Sequence, residues 1–233
     1  MKKRIDSLFS KCQILSRTEF QKAVKRKEIT CNGIVVKSPS QKVEESDIIT
    51  YKGEVVEFNE FVYIMLNKPN GVVSATEDRD TKTVIDILPK ELQRKGLFPC
   101  GRLDKDTIGL VIITNDGVSA HKRLSPKHHA KKVYYFECCE EVTDKVKSEI
   151  ESGVLLKDGY TTKPCELKLI TATSGEITLT EGKYHEIKRI FGAKNNRITL
   201  LKRISFAGIK LDDNLLSGEC RLLTEEEIKL FTE

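Results

Sequence analysis

The first sixty residues alternate hydrophobic and polar positions, first with helical spacing and then with strand spacing. Two helices are predicted by apolar residues three or four positions apart, namely Ile5, Leu8, Phe9 and Cys12, then Phe20, Ala23 and Val24. Ser16-Arg17-Thr18-Glu19 is a capping box that begins the second helix. Strand spacing follows at residues 29–36, 48–51 and 54–58. Asn32-Gly33 is the pair that a type I′ hairpin turn prefers, so we predict a small α/β domain over residues 1–58.

The pattern changes near residue 60, where continuous apolar runs begin. Residues 62–66 and 110–114 are predicted as buried strands, each stopped by a turn that contains glycine. Further strands are predicted at 132–139, 164–171, 175–181, 197–203 and 207–211, and helices at 84–88, 118–124, 143–151, 184–192 and 225–232. Hairpin-length loops join most of the strands, so the predicted fold class is α+β. A second domain over residues 61–233 would hold a mixed, mainly antiparallel sheet.

Composition narrows the class of protein. Hydrophobic residues make up 39% and charged residues 32% of 233 residues, which is typical of a folded chain rather than a disordered one. No apolar run approaches the roughly 20 residues of a membrane span. Lys2, Lys3 and Arg4 imitate the start of a signal peptide, but Asp6 and Ser7 interrupt any apolar stretch. We therefore expect a cytoplasmic protein with no membrane partner.

Charge and cysteine content point to a polyanionic partner and away from a zinc site. The formal net charge is only +5, yet residues 1–42 hold eleven Lys or Arg and three acidic residues. This clustering favours a nucleic acid as the partner of the N-terminal domain. The seven cysteines include no C-x-x-C pair, so neither a zinc site nor a disulfide framework is indicated.

Residues 101–110 form the densest polar stretch and lead into a buried strand. Asp104 lies at its centre. A carboxylate in such a loop is either a turn or cap residue, or a nucleophile or base. Spacing alone leaves both interpretations open.

Motifs along the chain extend this picture. They comprise Gly101-Arg102-Leu103-Asp104, Thr107, Gly109-Leu110, Thr114-Asn115-Asp116-Gly117, Leu66-Asn67-Lys68-Pro69 with Gly71, Thr83-Val84 with Asp86 and Leu88, Lys132-Val133-Tyr134, Glu181-Gly182-Lys183-Tyr184-His185-Glu186-Ile187-Lys188-Arg189, and Gly218 through Leu223-Thr224. Together they resemble the signature of the pseudouridine synthases that modify ribosomal RNA. The first sixty residues resemble an S4-type RNA-binding domain, so the resemblance covers essentially the whole chain.

The resemblance implies a catalytic role for three residues and no cofactor. Asp104 would be the catalytic aspartate, Lys188 its basic partner and Tyr134 the active-site tyrosine that stacks on the uracil or moves a proton. Asp104 would attack C1′, add to the base or abstract a sugar proton, and the residues do not choose between these routes. From the pattern alone, Lys188 is also readable as a solvated helix lysine and Tyr134 as a packed strand tyrosine.

Other residues are candidates for contacts with the target nucleotide. By resemblance, Leu201 packs under the base, although its pattern also fits a core strand. Arg102 would hold the flipped nucleotide open, or would form a structural salt bridge. His185 and Arg189 are the remaining substrate-binding candidates.

The RNA-binding candidates follow from basic clustering. They are Arg4, Arg17, Lys22, Lys25 and Arg26 in the first domain, and Lys127, His128 and His129 in the second. The His pair lacks a further ligand at metal spacing, so no metal site is predicted. Residues 125–132 most resemble the synthases that isomerise one uridine of 16S rRNA. The predicted partner is therefore 16S rRNA or a partly assembled small ribosomal subunit, and no protein partner is inferred.

Two alternatives and three departures from the family pattern belong to this interpretation. The alternatives are a synthase for 23S rRNA and a non-catalytic ribosome-assembly factor. Lys183 and Glu186 stand where the family more often has Arg and Gln, and Cys220 stands where it has Tyr. None of the three replaces a predicted catalytic group.

Overall fold

The computed structural model describes residues 2–125 and 130–233. It divides into two compact units, Met1–Val62 and Tyr63–Glu233. In the described ranges, none of the helices has the length and apolar character that crossing a membrane requires.

The unit Met1–Val62 places two helices on short strands. Its elements are β1 (Lys3–Arg4), α1 (Ile5–Lys11), α2 (Arg17–Lys25), β2 (Ile29–Cys31), β3 (Ile34–Val35), β4 (Lys42–Val43), β5 (Ile49–Tyr51) and β6 (Glu54–Val55). The strands form a two-stranded sheet, β1-β4, and a four-stranded sheet in the order β3-β2-β5-β6. The apolar helix faces pack on these sheets around Phe9, Phe20 and Ile29, all fully buried.

Local sequence signals determine this unit. The capping box is confirmed: the Glu19 amide donates to Ser16 Oγ (3.3 Å) and the Ser16 amide donates to Glu19 Oε2 (2.8 Å). Asn32 and Gly33 both have positive φ, 51° and 78°, as a type I′ turn requires. The predicted hairpin is therefore confirmed.

The unit Tyr63–Glu233 is built on one large sheet. Its elements are β7 (Tyr63–Lys68), a 3-10 turn (Lys90–Leu92), β8 (Phe98–Cys100), β9 (Ile108–Thr114), α3 (Gly117–Leu124), β10 (Lys132–Cys138), α4 (Asp144–Ser152), β11 (Glu166–Thr171), β12 (Ser174–Leu179), α5 (Glu186–Gly192), β13 (Ile198–Phe206), β14 (Ile209–Lys210), β15 (Cys220–Leu222) and α6 (Glu225–Thr232).

The sheet order is β11-β12-β10-β13-β9-β7-β15, with β14 beside β13 and β8 beside β9. In the described part of the chain, every pair of these strands is antiparallel except β9 with β13. The predicted α+β class with a mixed, mainly antiparallel sheet is confirmed. Gly109 allows the parallel pair to approach closely, because a Cβ there would lie 2.4 Å from the Arg203 carbonyl oxygen.

Several predicted elements are corrected by the structure. Residues 84–88 form a turn instead of a helix, since Asp86 Oδ2 accepts from both the amide and the hydroxyl of Thr83. The strand predicted at 197–203 continues to Phe206, and the next strand shortens to Ile209–Lys210. Four strands were not predicted, namely β1, β4, β8 and β15. Each has only two or three residues, too few for an alternating pattern to be recognised.

Candidate active site

Asp104 lies on the loop between β8 and β9, and a buried lysine holds this loop in place. Lys68, at the end of β7, is fully buried, and its ammonium donates to the carbonyl oxygens of Pro69 (3.1 Å), Lys105 (3.1 Å) and Thr107 (2.7 Å). Burial lowers the pKa of Lys68 to about 8, although the carboxylates of nearby acidic residues oppose the shift. Lys68 thus connects the chain just after β7, at Pro69, to the Asp104 loop, at Lys105 and Thr107.

Two further hydrogen bonds fix the same loop. The Gly71 amide donates to the Lys105 carbonyl (3.0 Å), and the Leu103 amide donates to Ser74 Oγ (3.0 Å). The Leu66-Asn67-Lys68-Pro69 and Gly71 motif therefore has a structural explanation. It forms the support on which the Asp104 loop rests.

Helix α5 brings two basic groups to Asp104. Lys188 Nζ lies 3.2 Å from Asp104 Oδ2 and 2.5 Å from Asp106 Oδ1. His185 Nε2 lies 3.5 Å from Asp104 Oδ1, and its ring stacks on Tyr184 at 3.8 Å between centroids. His185 precedes α5 with a positive φ of 49°, which is uncommon for a residue with a side chain.

The carboxylates next to Lys188 stabilise its charged form. Its partial burial opposes the ammonium form, but hydrogen bonds to Asp106 and Asp104 outweigh burial and raise the pKa of Lys188. The hydrogen bond from Lys188 is also the main reason why the pKa of Asp106 is lowered. A lysine with this pKa stays positively charged beside Asp104 at neutral pH.

Tyr134 and Leu201 form the apolar wall of the same cavity. Both are buried, at 8% and 6% exposure, on the neighbouring strands β10 and β13. The cavity is lined by Arg102, Leu103, Asp104, Thr107, Tyr134, Leu179, Glu181, Gly182, Lys183, His185, Glu186, Ile187, Lys188 and Leu201. Tyr135 does not line it, and its hydroxyl donates to Glu137 Oε1 at 2.9 Å. Strand alternation thus separates the two tyrosines.

Arg203 is a residue that sequence reasoning missed. It is 1% exposed, pairs with Tyr134 across β10 and β13, and its Nε donates to the Leu110 carbonyl at 2.7 Å. Burial raises the pKa of Tyr134, while the positive charge of Arg203 and a hydrogen bond from it act in the opposite direction. The spacing of Leu201 and Arg203 on one strand is the signal that would have found it, since residues i and i+2 share a face.

The two predicted substrate arginines differ in their placement. Arg102 is exposed, lines the cavity and forms no ion pair within residues 2–125 and 130–233. The salt bridge considered for it is therefore not observed in those ranges. Arg189 is not among the described cavity-lining residues, and its guanidinium pairs with Asp158 at 2.5 Å.

The predicted RNA-binding residues of the first unit lie on its surface. Arg17, Lys22, Lys25 and Arg26 are exposed along α2 and at its end, and Arg4 is exposed beside Asp6, with which it pairs at 2.7 Å. Lys127, His128 and His129 lie outside the described residues. Among the residues that are described, no group of three or more His, Cys, Asp and Glu side chains is placed to hold a metal ion.

Two family models match the sequence. RNA pseudouridylate synthase matches residues 62–193, and the S4 domain matches residues 6–49. The chain also resembles a solved structure described as a pseudouridylate synthase, with 34% identity and a TM-score of 0.70 over 98% of this chain and 99% of that one.

Curated relatives span nearly the full length. An uncharacterised RNA pseudouridine synthase of Bacillus subtilis is 41% identical over 99% of this chain and 98% of its own. The ribosomal small subunit pseudouridine synthase A of Escherichia coli is 37% identical, covering 97% of this chain and 98% of the relative. The protein of the same name from Haemophilus influenzae is 35% identical, again over 97% and 98%.

Proposed function

Because this chain belongs to the RNA pseudouridylate synthase family, we propose that it converts one uridine of 16S rRNA to pseudouridine with Asp104 as its catalytic aspartate. The observation that carries the proposal is the cluster in which Lys188 and His185 face Asp104 at the edge of a cavity walled by Tyr134 and Leu201. A carboxylate held between two basic groups beside an apolar wall suits a reaction on a flipped base.

The reaction leaves the composition of the nucleotide unchanged. The bond between C1′ and N1 breaks, the uracil turns, a bond forms between C1′ and C5, and a proton moves from C5 to N1. No electrons are exchanged with another molecule, so the proposal requires no redox cofactor. The ammonium of Lys188 lies 3.2 Å from Asp104 and interacts with its carboxylate more strongly when a base covers the site and removes water. The route that Asp104 takes is left open between attack on C1′, addition to the base and abstraction of a sugar proton.

The cavity walls have separate roles in this proposal. Tyr134 stacks on the uracil and is placed for proton transfer at C5, while Leu201 packs against the base from β13. Arg102 is exposed at the cavity and uncommitted to a described ion pair, which suits it to hold a phosphate of the flipped nucleotide. His185 contacts the nucleotide beside Asp104. Arg189 acts more remotely, since its guanidinium already binds Asp158.

The RNA is bound mainly through the first domain in this proposal. An S4-type domain over residues 1–58 grips phosphates through Arg4, Arg17, Lys22, Lys25 and Arg26, and residues 61–233 carry out the chemistry. Lys127, His128 and His129, which belong to the second domain by sequence, add further basic contacts. The names of the relatives from Escherichia coli and Haemophilus influenzae support 16S rRNA, naked or in a partly assembled subunit, as the substrate.

The experiment that tests the proposal maps pseudouridine after incubation of the purified protein with unmodified 16S and 23S rRNA. Both RNAs are supplied as transcripts and in partly assembled particles, and modified sites are read by chemical labelling and primer extension. We expect one site in 16S rRNA that disappears with Asp104→Asn. A matched control is Asp106→Asn, which removes the neighbouring carboxylate on Lys188 and is expected to lower the rate by less than about tenfold.

Other outcomes would replace parts of the proposal. A site in 23S rRNA would keep the chemistry and change the substrate. Tight binding without any modification would favour a ribosome-assembly factor. An equal loss of rate in the Asp104 and Asp106 variants would mean that Asp104 acts only as a negative charge that pairs with Lys188.

A further inference from the structure

Two carboxyl groups meet at the wall of the candidate active site. Glu186 is the first residue of α5 and is 4% exposed. Glu181 lies in the segment between β12 and α5. Both line the cavity that holds Asp104. Two carboxylates in one small space, one of them buried and the other half-buried, repel each other unless a proton or a cation separates them.

The hydrogen bonds of the pair show where a proton is required. Glu181 Oε2 accepts from the Tyr160 hydroxyl (2.5 Å), and Glu181 Oε1 accepts from the Lys163 amide (2.8 Å). Glu186 Oε2 accepts from the Lys183 amide (2.8 Å). Glu186 Oε1 is buried and has no hydrogen-bond partner among the described residues. Both oxygens of Glu181 already accept hydrogen bonds, so the shared proton is assigned to Glu186. A hydrogen bond from protonated Glu186 Oε1 to Glu181 then gives this buried oxygen its partner.

The surrounding charges agree with this assignment. Burial and the adjacent Glu181 raise the pKa of Glu186 to about 7, against the opposing effects of the Lys183 amide and the Lys132 ammonium. Burial also acts to raise the pKa of Glu181, but hydrogen bonds from Glu186, Tyr160 and the Lys163 amide lower it overall. Among the described residues, Tyr134, Tyr160 and Cys165 also face Glu186; the pKa of each is raised, so each stays neutral at pH 7.

We propose that Glu186 acts as a neutral carboxylic acid that donates a hydrogen bond to Glu181 and thereby positions the start of α5. Glu186 is a positioning residue here, because its effect on the reaction passes through its neighbours. His185 directly precedes it, and Lys188 follows two residues later, and these are the two groups that face Asp104. Ionisation of Glu186 would set two carboxylates against each other and displace both basic groups. This inference rests on the proposed role of Asp104.

The chemistry of the side chain at position 186 makes the consequence specific. An amide N–H, such as that of a Gln side chain, is a donor at every pH. Glu is a donor only while it is protonated. The chain is therefore expected to lose positioning as pH rises through neutrality, and Glu186→Gln is expected to remove that loss.

The first test compares wild type with Glu186→Gln between pH 6 and 9 on the RNA that the enzyme modifies. Above the ionisation of Glu186, the wild-type kcat is expected to fall by up to about tenfold per pH unit relative to the variant, with KM nearly unchanged. Glu166→Gln, an exposed change of the same chemistry on β11, is expected to follow wild type. Parallel pH profiles for wild type and Glu186→Gln would overturn the proposal.

The second test needs neither RNA nor catalysis. Carboxyl carbons of protein labelled with carbon-13 glutamate are titrated by NMR, and the Glu186 signal is assigned by its absence in Glu186→Gln. We expect this signal to titrate near neutral pH, and to shift to a lower pH in Glu181→Gln. Titration of Glu186 at the ordinary acidic value of a glutamate would contradict the proposal. Retention of activity by Asp104→Asn would instead contradict the proposed function while leaving the NMR result intact.

Discussion

Lys68 and Lys25 illustrate how differently the two units use a lysine. Lys68 is fully buried in the unit Tyr63–Glu233, and its ammonium donates to three carbonyls around the Asp104 loop. Lys25 is exposed on α2 of the unit Met1–Val62. A buried cation must satisfy its donors with protein groups and therefore fixes their geometry. An exposed cation keeps its hydration and attracts anions in a salt-dependent way.

The same contrast holds for the arginines of the two units. Arg203 is buried on β13, where its Nε donates to the Leu110 carbonyl, whereas Arg17 is exposed at the start of α2. In the proposed function, charge thus has two separable uses: buried groups shape the candidate site, and exposed groups attract RNA. Substitutions in the first set should lower the rate of the reaction, and substitutions in the second set should lower affinity.

Among the substitutions that test this contrast between buried and exposed charges, the largest effect is expected at Lys188, which lies beside Asp104. Lys188→Met should lower kcat by roughly 10²–10³-fold because it removes the cation that lies 3.2 Å from Asp104. RNA affinity should change by less than about threefold, since one partly buried charge contributes little to phosphate binding. Single-turnover rates and filter binding measure the two quantities. Lys188→Arg keeps the charge and should recover part of the rate; equal loss in both variants would contradict a purely electrostatic role.

The next effect concerns the support of the Asp104 loop. Lys68→Met leaves three carbonyls without their donor, so we expect about a 100-fold loss of kcat and a drop of about 3 kcal/mol in the free energy of unfolding. Urea denaturation and single-turnover kinetics measure these changes. The control is Lys105→Met, an exposed lysine on the same loop. A stable and fully active Lys68→Met protein would break the distinction between buried and exposed lysines.

A smaller effect, on binding alone, is expected from the exposed set. Replacing Lys22, Lys25 and Arg26 together with Ala should weaken rRNA binding by about tenfold at low salt and reduce the salt slope by about 2, as loss of three phosphate contacts requires. The value of kcat at saturating RNA should stay within about twofold. A variant with the same change in charge, Lys90, Lys210 and Lys229 to Ala, is the control. Equal weakening by both sets would mean that net charge alone governs binding.

The smallest effect is expected at Arg189. Its guanidinium binds Asp158 at 2.5 Å, an interaction that is partly exposed. Arg189→Gln should therefore change kcat and KM by less than about threefold. Arg102→Gln is the informative partner variant, because Arg102 lines the cavity and should raise KM more strongly. A larger defect in Arg189→Gln than in Arg102→Gln would reverse the assignment of these two arginines.

Local signals made much of the fold predictable from the sequence. The Ser16 capping box and the Asn32-Gly33 turn are short-range patterns, and both form as expected. The buried strands β7 and β9 were clear from continuous apolar runs. The helix predicted at residues 84–88 was wrong, because hydrogen bonds from Thr83 to the Asp86 side chain form a turn there and so short a helix is not stable alone.

The buried charged residues were less predictable than the fold. Lys68 ends β7 and Arg203 lies within β13, and the carbonyls of Thr107 and Leu110 that they bind are distant in the sequence. A sequence pattern contains no record of such contacts. Glu186 was visible as a departure from the family pattern, but its protonation follows only from counting the donors around Glu181 in three dimensions.

Asp104 is the residue on which the account depends most directly. The decisive measurement is single-turnover formation of pseudouridine in 16S rRNA by wild type and Asp104→Asn, with protein in excess and above the Kd of each. These conditions separate chemistry from binding. We predict that Asp104→Asn binds the RNA within about threefold of wild type and forms no pseudouridine, because the substitution removes the carboxylate and keeps its shape. Turnover by Asp104→Asn at a rate near that of wild type would contradict the account.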